Sequence, residues 1–495
     1  MSNIKYQTTY NLSAKLEAFK YQYEAFLEIK DKPYAAIFHE QGLGKTKIAI
    51  DLLLYWLESC DVDTVMIVTK KTLVPNWIDE FGTHTNLRPK VLDNHKGNNY
   101  YIFNSPVRVI VTNFETVSGE KERIERFLKT RNVAIIIDES AKIKNPESKL
   151  TQDFLDLAPL FYRKVIMSGT PVANRPYDIW SQIFFLDLGE SLGKDFNTFK
   201  YNCDLSNELV RNSERKELFE NSVAEIFEKI RPFTVRETKN SGIITLPSKV
   251  YHDVLISFEQ DQLSMYKQVQ NEMSIMLHHG DQSILDESAD TIKRLLRLVQ
   301  VSSNPRLLDD TYTGPSAKEM LLNRLITQIM DRDEKVIVWS NFTGNVDEFC
   351  QKYKHLHSVK ITGKMSTEDR VRSIKAFKEG DAKVLFATPQ SAKEGLTLTV
   401  ANNAIFYDRG FNLDDYLQAQ DRIHRISQKK DCHIYNLMIE NSIDLWVDYL
   451  LKAKQQAAFL AQGDISKEQY QQVADYTFAQ IVREILNIDN EYGRD

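Results

Sequence analysis

Three groups of residues in this chain have the types and spacing that phosphate chemistry needs. The first is a glycine loop, QGLGKT at 41–46, which follows an apolar run at 34–38 and precedes a helix-like segment. Glycines let successive backbone N–H groups face a phosphate, and the helix N-terminus adds partial positive charge. Lys45 would reach the outer phosphates, and Thr46 would offer a hydroxyl to Mg²⁺. The strict loop pattern asks for glycine where this chain has His39, and a plain glycine turn before a helix is the alternative.

Two acidic residues form the second group, directly after the apolar run at 133–137. An unbroken apolar run is typical of a parallel strand buried on both faces, and ligands bind at the carboxyl ends of such strands. Asp138 would hold Mg²⁺, directly or through water, and Glu139 would orient and deprotonate the water that attacks the γ-phosphate. Paired acids after a strand are also ordinary turn residues. Their position after the glycine loop favours the catalytic interpretation.

Two arginines, Arg422 and Arg425, form the third group. They are three residues apart in a segment predicted to be helical, so both guanidinium groups would leave the same face. A planar, permanently charged fork suits a phosphate, and an arginine finger accelerates phosphoryl transfer about 10³- to 10⁵-fold. A solvated basic helix face is the alternative, because Lys429 and Lys430 follow directly.

Further motifs accompany these groups in a fixed order. They are NWIDEF at 76–81, VTNFE at 111–115, DESAKIKN at 138–145, MSGTPVANR at 167–175, RPFTVR at 231–236, WSNFT at 339–343 and QAQDRIHRISQ at 418–428. This ordered set resembles the Swi/Snf-type branch of the superfamily two helicase-like ATPases, from about residue 21 to about residue 443. The resemblance implies two RecA-like lobes that use ATP and Mg²⁺ to move along double-stranded DNA.

The resemblance also implies roles for individual residues. Catalysis would fall to Lys45, Glu139, Arg422 and Arg425, and metal binding to Thr46 and Asp138. Gln22 would read adenine, and the nucleotide would also contact Gly42, Leu43, Gly44, Lys45, Thr46 and Gly395. Coupling of the nucleotide state to nucleic acid would involve Ser168, Gly169, Thr170 and Gln418. The nucleic-acid backbone would contact Thr112, Asn113, Ser340 and Thr388, for which capping of a helix is the alternative.

Three positions depart from the family pattern. Ala141 stands where the family usually has histidine as the fourth residue of the acidic motif, which questions how hydrolysis is coupled to movement. Lys20 replaces a proline ahead of the adenine motif, and Ser427 replaces a glycine. The sequence EGLT at 394–397 resembles that of a distant, annealing-helicase-like branch of the family.

Ten apolar runs separated by helical segments predict an α/β fold with two parallel sheets. The runs are 34–38, 65–69, 107–112, 133–138, 164–168, 335–340, 359–362, 383–388, 404–408 and 433–437. We predict an N-terminal RecA-like lobe at 1–235 with a helical insertion near 187–230, and a linker at 236–255. A C-terminal RecA-like lobe at 256–460, with a helical insertion near 260–308, and an amphipathic helix at 461–495 would complete the chain.

The composition is that of a globular protein, with 42% hydrophobic and 27% charged residues among 495 and a net charge of −6. Its four cysteines lack the spacing of a zinc site or a disulfide framework. No apolar run reaches about 18 residues, and the polar start has no signal-peptide core. We therefore expect a cytoplasmic protein, prokaryotic or viral in its host's cytoplasm, with no membrane partner.

Together these features predict an ATP-dependent double-stranded DNA translocase that remodels DNA or protein–DNA complexes without processive strand separation. Contacts to the DNA backbone would give little sequence specificity, and a protein partner would recruit the motor. Basic pairs such as Lys70 with Lys71 are candidates for such contacts, although each alone is typical of a solvated patch. A strand-separating DNA or RNA helicase and the motor subunit of a larger restriction or defence complex are alternatives. A weakly hydrolysing, nucleotide-dependent DNA clamp is an alternative of another class, motivated by Ala141.

Overall fold

Apolar and β-branched residues build the strands of two separate parallel sheets in this computed structural model. The structure describes residues 11–59, 62–172, 174–205, 213–242, 246–278, 289–392, 396–425 and 427–473. The described chain divides into two units, each built on one sheet. The first unit consists mainly of residues up to 204, 218–242 and 458–467, and the second mainly of 246–457.

The first unit contains a parallel sheet with the strand order β3-β4-β2-β5-β6-β1-β7. Its strands are Tyr34–Ile37 (β1), Thr64–Thr69 (β2), Lys90–Val91 (β3), Val109–Asn113 (β4), Val133–Asp138 (β5), Arg163–Met167 (β6) and Thr234–Val235 (β7). The strand that leads into the glycine loop and the strand that ends in the acidic pair are separated only by β6. Parallel pairing brings the carboxyl ends of all three strands to the same edge of the sheet.

Ten α-helices belong to the described part of this half of the chain. They are Lys20–Ile29 (α1), Lys45–Ser59 (α2), Val74–His84 (α3), Lys96–Phe103 (α4), Phe114–Gly119 (α5), Lys121–Leu128 (α6), Lys149–Leu157 (α7), Trp180–Asp187 (α8), Phe196–Asn202 (α9) and Ser213–Ile230 (α10). Helix α2 packs Ile48, Leu52 and Trp56 into a buried core with residues of β1 and β2. Burial of this face fixes the helix that starts at Lys45 against the sheet.

The second unit contains a parallel sheet with the strand order β10-β11-β9-β12-β13-β8. Its strands are Lys249–Ile256 (β8), Val336–Trp339 (β9), Val359–Ile361 (β10), Val384–Ala387 (β11), Asn403–Phe406 (β12) and Cys432–Ile439 (β13). The remaining helices are Gln260–His278 (α11), Ala289–Ser303 (α12), Ala317–Met330 (α13), Thr343–Lys352 (α14), Thr367–Glu379 (α15), Leu413–Gln420 (α16), Ile443–Ala461 (α17) and Lys467–Val473 (α18). Buried side chains of β9, β11 and β12 form a core cluster on this sheet.

The predicted α/β class with two parallel sheets is confirmed, and each of the ten predicted runs overlaps a strand. Three strands were missed. Two of them, β3 and β7, are only two residues long, which is too short for a periodic pattern. Strand β8 was missed because its residues alternate between partly buried and exposed at the sheet edge; all of it except Ile256 falls within the predicted linker at 236–255. The predicted C-terminal helix at 461–495 includes α18, and its part beyond 473 lies outside the described residues.

Within the described ranges, no helix is both long enough and apolar enough to cross a membrane.

Candidate nucleotide site and arginine segment

The glycine loop joins β1 to α2 and takes a conformation that only glycine adopts easily. Gly44 has a φ of 68°, in the left-handed region. A Cβ at this position would lie against Gln22 Nε2, closer than van der Waals contact allows. Both features disfavour a side chain here. The loop is therefore shaped by its backbone, as a phosphate cradle requires.

Lys45 is the first residue of α2 and points its ammonium group back at the loop. The Nζ atom donates hydrogen bonds to the carbonyl oxygens of His39, at 2.9 Å, and Glu40, at 3.3 Å. Loss of solvation lowers the pKa of Lys45, and the charges of Glu139 and Asp138 act in the opposite direction. One cation and two carboxylates therefore share this edge of the sheet.

His39 occupies the position where the strict loop pattern has glycine. Its side chain is buried, and its ring lies 6.1 Å from that of Tyr21, measured between centroids. Burial is the main cause that lowers the pKa of His39 to about 4, with a contribution from the charge of Lys45. Because this value lies below neutrality, the imidazole is neutral at pH 7 and adds no charge beside the lysine.

Asp138 ends β5 and is held by two neighbours. The Trp77 indole N–H donates to Oδ2 at 2.9 Å, and the Thr69 hydroxyl donates to the same oxygen at 3.2 Å. Burial and the adjacent charge of Glu139 raise the pKa of Asp138, while the bonds from Trp77 and Thr69 lower it. Both hydrogen bonds that the structure gives this carboxylate end on Oδ2.

Glu139 follows with a left-handed backbone, at a φ of 60°. Non-glycine residues adopt this conformation rarely, and it concentrates at functional sites. The Nζ atom of Lys70 lies 3.5 Å from Glu139 Oε2. The two carboxylates therefore have different neighbours, with Lys70 beside Glu139 and with Trp77 and Thr69 beside Asp138.

The predicted coupling loop at 168–170 packs on the glycine loop. A Cβ at Gly169 would overlap the Gln41 side chain and lie 3.3 Å from Lys45 Nζ. The Ser168 hydroxyl accepts a hydrogen bond from the Thr170 backbone N–H at 3.2 Å. The structure therefore brings Gly169 directly to the predicted phosphate lysine.

Gln22, the predicted adenine reader, also lies on the glycine loop. Its Nε2 atom donates to the carbonyl oxygen of Leu43 at 3.4 Å, and the Tyr21 hydroxyl donates to the same oxygen at 3.1 Å. Gln22 is buried. Contact with adenine stays a prediction, since the structure shows only the contact with the loop.

The second unit holds Arg422 and Arg425 in a turn. Helix α16 ends at Gln420, so the prediction that both arginines project from one helix is wrong. Both side chains still bond to the same segment, residues 396–397. Arg422 Nη1 donates to the Leu396 carbonyl oxygen at 3.4 Å, and Arg425 Nη1 donates to Thr397 Oγ1 at 2.7 Å. Gly395, the predicted nucleotide contact next to this segment, lies outside the described residues. Gln418 donates to Asp414 Oδ1 at 2.8 Å, within α16.

The four predicted nucleic-acid contacts are buried and have internal partners. Asn113 caps α5 by accepting from the Thr116 N–H at 3.0 Å. Thr112 donates to Leu92 O at 3.2 Å, Thr388 donates to the Ser391 hydroxyl at 2.8 Å, and Ser340 donates to Asp408 Oδ2 at 2.5 Å. For Asn113 the structure shows the capping role that the sequence offered as the alternative.

Comparison with known proteins identifies the family. Residues 26–307, more than half of the chain, match the SNF2-related domain family. The chain belongs to the SNF2-related family of helicase-like ATPases. Residues 317–427 match the helicase conserved C-terminal domain family. The two parallel-sheet units correspond to the two RecA-like lobes expected of this family.

Relatives of this SNF2-related chain include longer proteins. It is 26% identical to the ISWI chromatin-remodeling complex ATPase ISW2 of Saccharomyces cerevisiae, over 82% of this chain and 37% of that protein. It is 24% identical to the ATP-dependent DNA helicase DDM1 of Arabidopsis thaliana, over 87% of this chain and 59% of that protein. The chain thus spans less than two thirds of these relatives. A Sulfolobus solfataricus SWI2/SNF2 ATPase core in complex with dsDNA aligns over 97% of this chain and 99% of its own, with 21% identity and a TM-score of 0.43.

Two site residues of this SNF2-related chain have partners that sequence reasoning did not assign. Trp77 lies in a motif that the sequence singled out, but nothing in the pattern shows that its indole reaches Asp138. Gln182 joins the acidic turn to Pro171, the residue directly after the predicted coupling loop. Its Oε1 accepts from the Ser140 hydroxyl at 2.8 Å, and its Nε2 donates to the Pro171 carbonyl oxygen at 2.9 Å. A glutamine within the apolar helix α8 was the available signal.

The segment after β7 also borders the glycine loop. Arg236 Nη1 donates to Phe38 O at 2.8 Å, and the Lys239 backbone N–H donates to Glu40 Oε2 at 2.8 Å. Lys239 Nζ lies 3.4 Å from the other oxygen of the same carboxylate. This part of the predicted linker is therefore built against the start of the nucleotide site.

Proposed function

We propose that this protein is an ATP-dependent double-stranded DNA translocase that remodels DNA or protein–DNA complexes. One observation carries the proposal. In a chain of the SNF2-related family, the first unit brings Lys45, Gly169, Asp138 and Glu139 together around a glycine loop. Such a set performs phosphoryl transfer to water by positioning and by electrostatic stabilisation.

The residues at this edge of the sheet fit ATP with magnesium. The loop N–H groups and Lys45 would hold the phosphates, and Thr46 with Asp138 would hold the metal. Mg²⁺ needs only one or two carboxylates besides substrate phosphate oxygens, so the donor set suffices. Bound there, the ion would neutralise charge on the phosphates. Asp138 must be ionised to hold the metal. Because its pKa is raised, metal binding would be lost on acidification at a higher pH than for an ordinary aspartate.

Glu139 is proposed as the group that orients the attacking water and accepts its proton. Its carboxylate lies beside Lys70, while that of Asp138 accepts hydrogen bonds from Trp77 and Thr69. The two acids are therefore suited to different tasks, metal binding and proton transfer.

Arg422 and Arg425 are proposed to stabilise charge on the transferred phosphoryl group. Guanidinium groups are permanently charged and present a planar fork to phosphate oxygens. Gln22 is proposed to read adenine, Gly395 to border the nucleotide, and Ser168, Gly169, Thr170 and Gln418 to couple the nucleotide state to DNA.

Double-stranded DNA is proposed as the track because two relatives are named as a chromatin-remodeling ATPase and a DNA helicase. Thr112, Asn113, Ser340 and Thr388 would have to give up internal hydrogen bonds to touch it directly. The basic pair Lys70 and Lys71 lies at the end of β2 and offers charge suited to the DNA backbone. A recruiting protein partner and a cytoplasmic location remain part of the proposal.

Displacement of a triplex-forming strand tests translocation. The protein is mixed with a duplex that carries a labelled third strand, and release is followed with and without ATP, beside Lys45→Ala. ATP-dependent release by the wild type alone is the expected result. Release of a strand from a plain forked duplex at a similar rate would favour a strand-separating helicase instead. No release from either substrate, with ATP bound, would favour a clamp.

A further inference from the structure

The end of strand β2 places two side chains beside the acidic pair. Strands β2 and β5 are paired in parallel with Val68 next to Ile137. Two further residues, Thr69 at the end of β2 and Lys70 directly after it, contact Asp138 and Glu139. The first of them, Thr69, donates its hydroxyl hydrogen bond to Asp138 at 3.2 Å. The second, Lys70, pairs with Glu139.

The ion pair between Lys70 and Glu139 is partly exposed to solvent. Lys70 Nζ lies 3.5 Å from Glu139 Oε2, and the side chains are 27% and 21% exposed. Pairs that solvent reaches in this way are weak, so a competing charge can exchange with either member. A phosphodiester group is such a competitor for a lysine.

The pair has a direct consequence for hydrolysis. A neighbouring ammonium group occupies the carboxylate oxygen that faces it, so that oxygen is less available to a water molecule. It also orients Glu139 toward Lys70. A carboxylate that must take a proton from water is therefore restrained as long as Lys70 faces it.

We propose that Lys70 is a positioning residue that restrains Glu139 in the DNA-free protein and exchanges it for a backbone phosphate when duplex DNA binds. The inference rests on the proposed function, since Glu139 acts as the base and DNA as the activator. It explains why Lys70, directly after β2, lies beside the carboxylate that is proposed as the general base. It also gives DNA a route to the hydrolysis site within the first unit.

The DNA-free rate of ATP hydrolysis tests the restraint. Lys70→Met should raise the DNA-free kcat about 1.5- to 5-fold, the range that a weak surface ion pair supports, and leave KM for ATP unchanged. Stimulation by duplex DNA should fall by a similar factor. Lys70→Arg should restore the wild-type rate, because arginine keeps the charge.

A matched control removes another lysine from an ion pair on the same unit. Lys129 pairs with Glu125 across one turn of α6, at 2.6 Å, and both side chains are exposed. Lys129→Met should therefore leave the DNA-free kcat unchanged. A DNA-free kcat of Lys70→Met that equals or falls below that of the wild type would overturn the inference.

Binding of duplex DNA without nucleotide gives a second readout that does not depend on hydrolysis. Because DNA and Glu139 compete for Lys70, Glu139→Gln should tighten DNA binding about 1.5- to 5-fold. In a Lys70→Met background the same substitution should have no effect. Equal tightening in both backgrounds would show a general charge effect and contradict the exchange.

The two proposals fail separately. If duplex DNA does not stimulate the wild type, the proposed function fails. The comparison of DNA-free rates between wild type, Lys70→Met and Lys129→Met still decides whether Lys70 restrains Glu139.

Discussion

Gly44 and Gly169 show at the residue scale why the nucleotide site needs these glycines. A side chain at Gly44 would meet Gln22, and one at Gly169 would meet Gln41. Both positions let a second segment approach the glycine loop closely. The motif pattern marked them, but only the structure shows which neighbours impose the requirement.

Gly44→Ala should destabilise the protein and weaken nucleotide binding. An alanine at a left-handed φ costs about 1–2 kcal/mol, and its methyl group would also displace Gln22. Gly42→Ala is the matched control, because Gly42 has a φ of 87° but nothing within 4 Å of the added atom. Thermal unfolding and binding of an ATP analogue measure both effects. Equal losses in the two variants would contradict a role for the Gln22 contact.

Trp77→Phe should make ATP hydrolysis more sensitive to acid. The indole hydrogen bond holds down the pKa of Asp138, which burial and Glu139 have already raised. Losing the bond raises this pKa further, so the carboxyl is protonated at a higher pH as the pH falls. The acid limb of the pH–rate profile should therefore move to higher pH.

The control for this shift is Trp180→Phe, which removes an indole N–H that donates to Gly193 O at 3.1 Å instead. Its acid limb should stay in place. An unshifted limb in Trp77→Phe would show that the indole does not tune Asp138.

Sequence patterns predicted residues whose chemistry is carried by type and order, and missed those that act through tertiary contact. Lys45, Asp138 and Glu139 lie together as their motifs implied. Trp77 could not be assigned, because its partner is 61 residues away in the chain. Thr112 and Ser340 match motif positions, yet their hydroxyls are buried and bonded within the fold.

Helix α8 is the element that joins the acidic turn to the end of the predicted coupling loop. Its Gln182 accepts from Ser140 and donates to Pro171, and Ser181 donates to Ile143 O at 2.7 Å. Both Gln182 and Ser140 are fully buried. Ala141 supplies no imidazole in the acidic motif, and this bridge is a polar connection between the two loops.

Gln182→Leu should therefore destabilise the protein and weaken coupling. The substitution leaves the buried Ser140 hydroxyl and Pro171 carbonyl without this partner, at about 1–3 kcal/mol in the free energy of unfolding. Ser140→Ala should lower the free energy of unfolding by less than Gln182→Leu does. The double variant should lower it by less than the sum of the two single changes. Urea unfolding and DNA-stimulated ATP hydrolysis measure the cycle. Strict additivity would show that the two residues do not act together.

Element boundaries were predictable where apolar runs are long and failed where tertiary context decides. The ten core strands were found because buried parallel strands are continuously apolar. Strand β8 was read as linker because only one of its sides is shielded at the sheet edge. The arginine segment was read as helix, yet α16 ends before it and Arg425 bonds to the backbone of Asp421 as well as to Thr397.

On the scale of the whole molecule, two units with separate sheets and separate cores carry different parts of the proposed chemistry. The first holds the glycine loop and both acids, and the second holds the arginine turn. Family membership is established by the match to the SNF2-related domain. The central claim is that this chain hydrolyses ATP in response to duplex DNA.

Steady-state ATP hydrolysis, measured without nucleic acid and with duplex DNA, single-stranded DNA or RNA, tests that claim most directly. Lys45→Ala, Glu139→Gln and Arg422→Ala are assayed beside the wild type, with Lys129→Met as a folded control. The account predicts strong stimulation by duplex DNA that the first three substitutions abolish and the control retains. Hydrolysis that no nucleic acid stimulates, or that persists in Glu139→Gln, would contradict it.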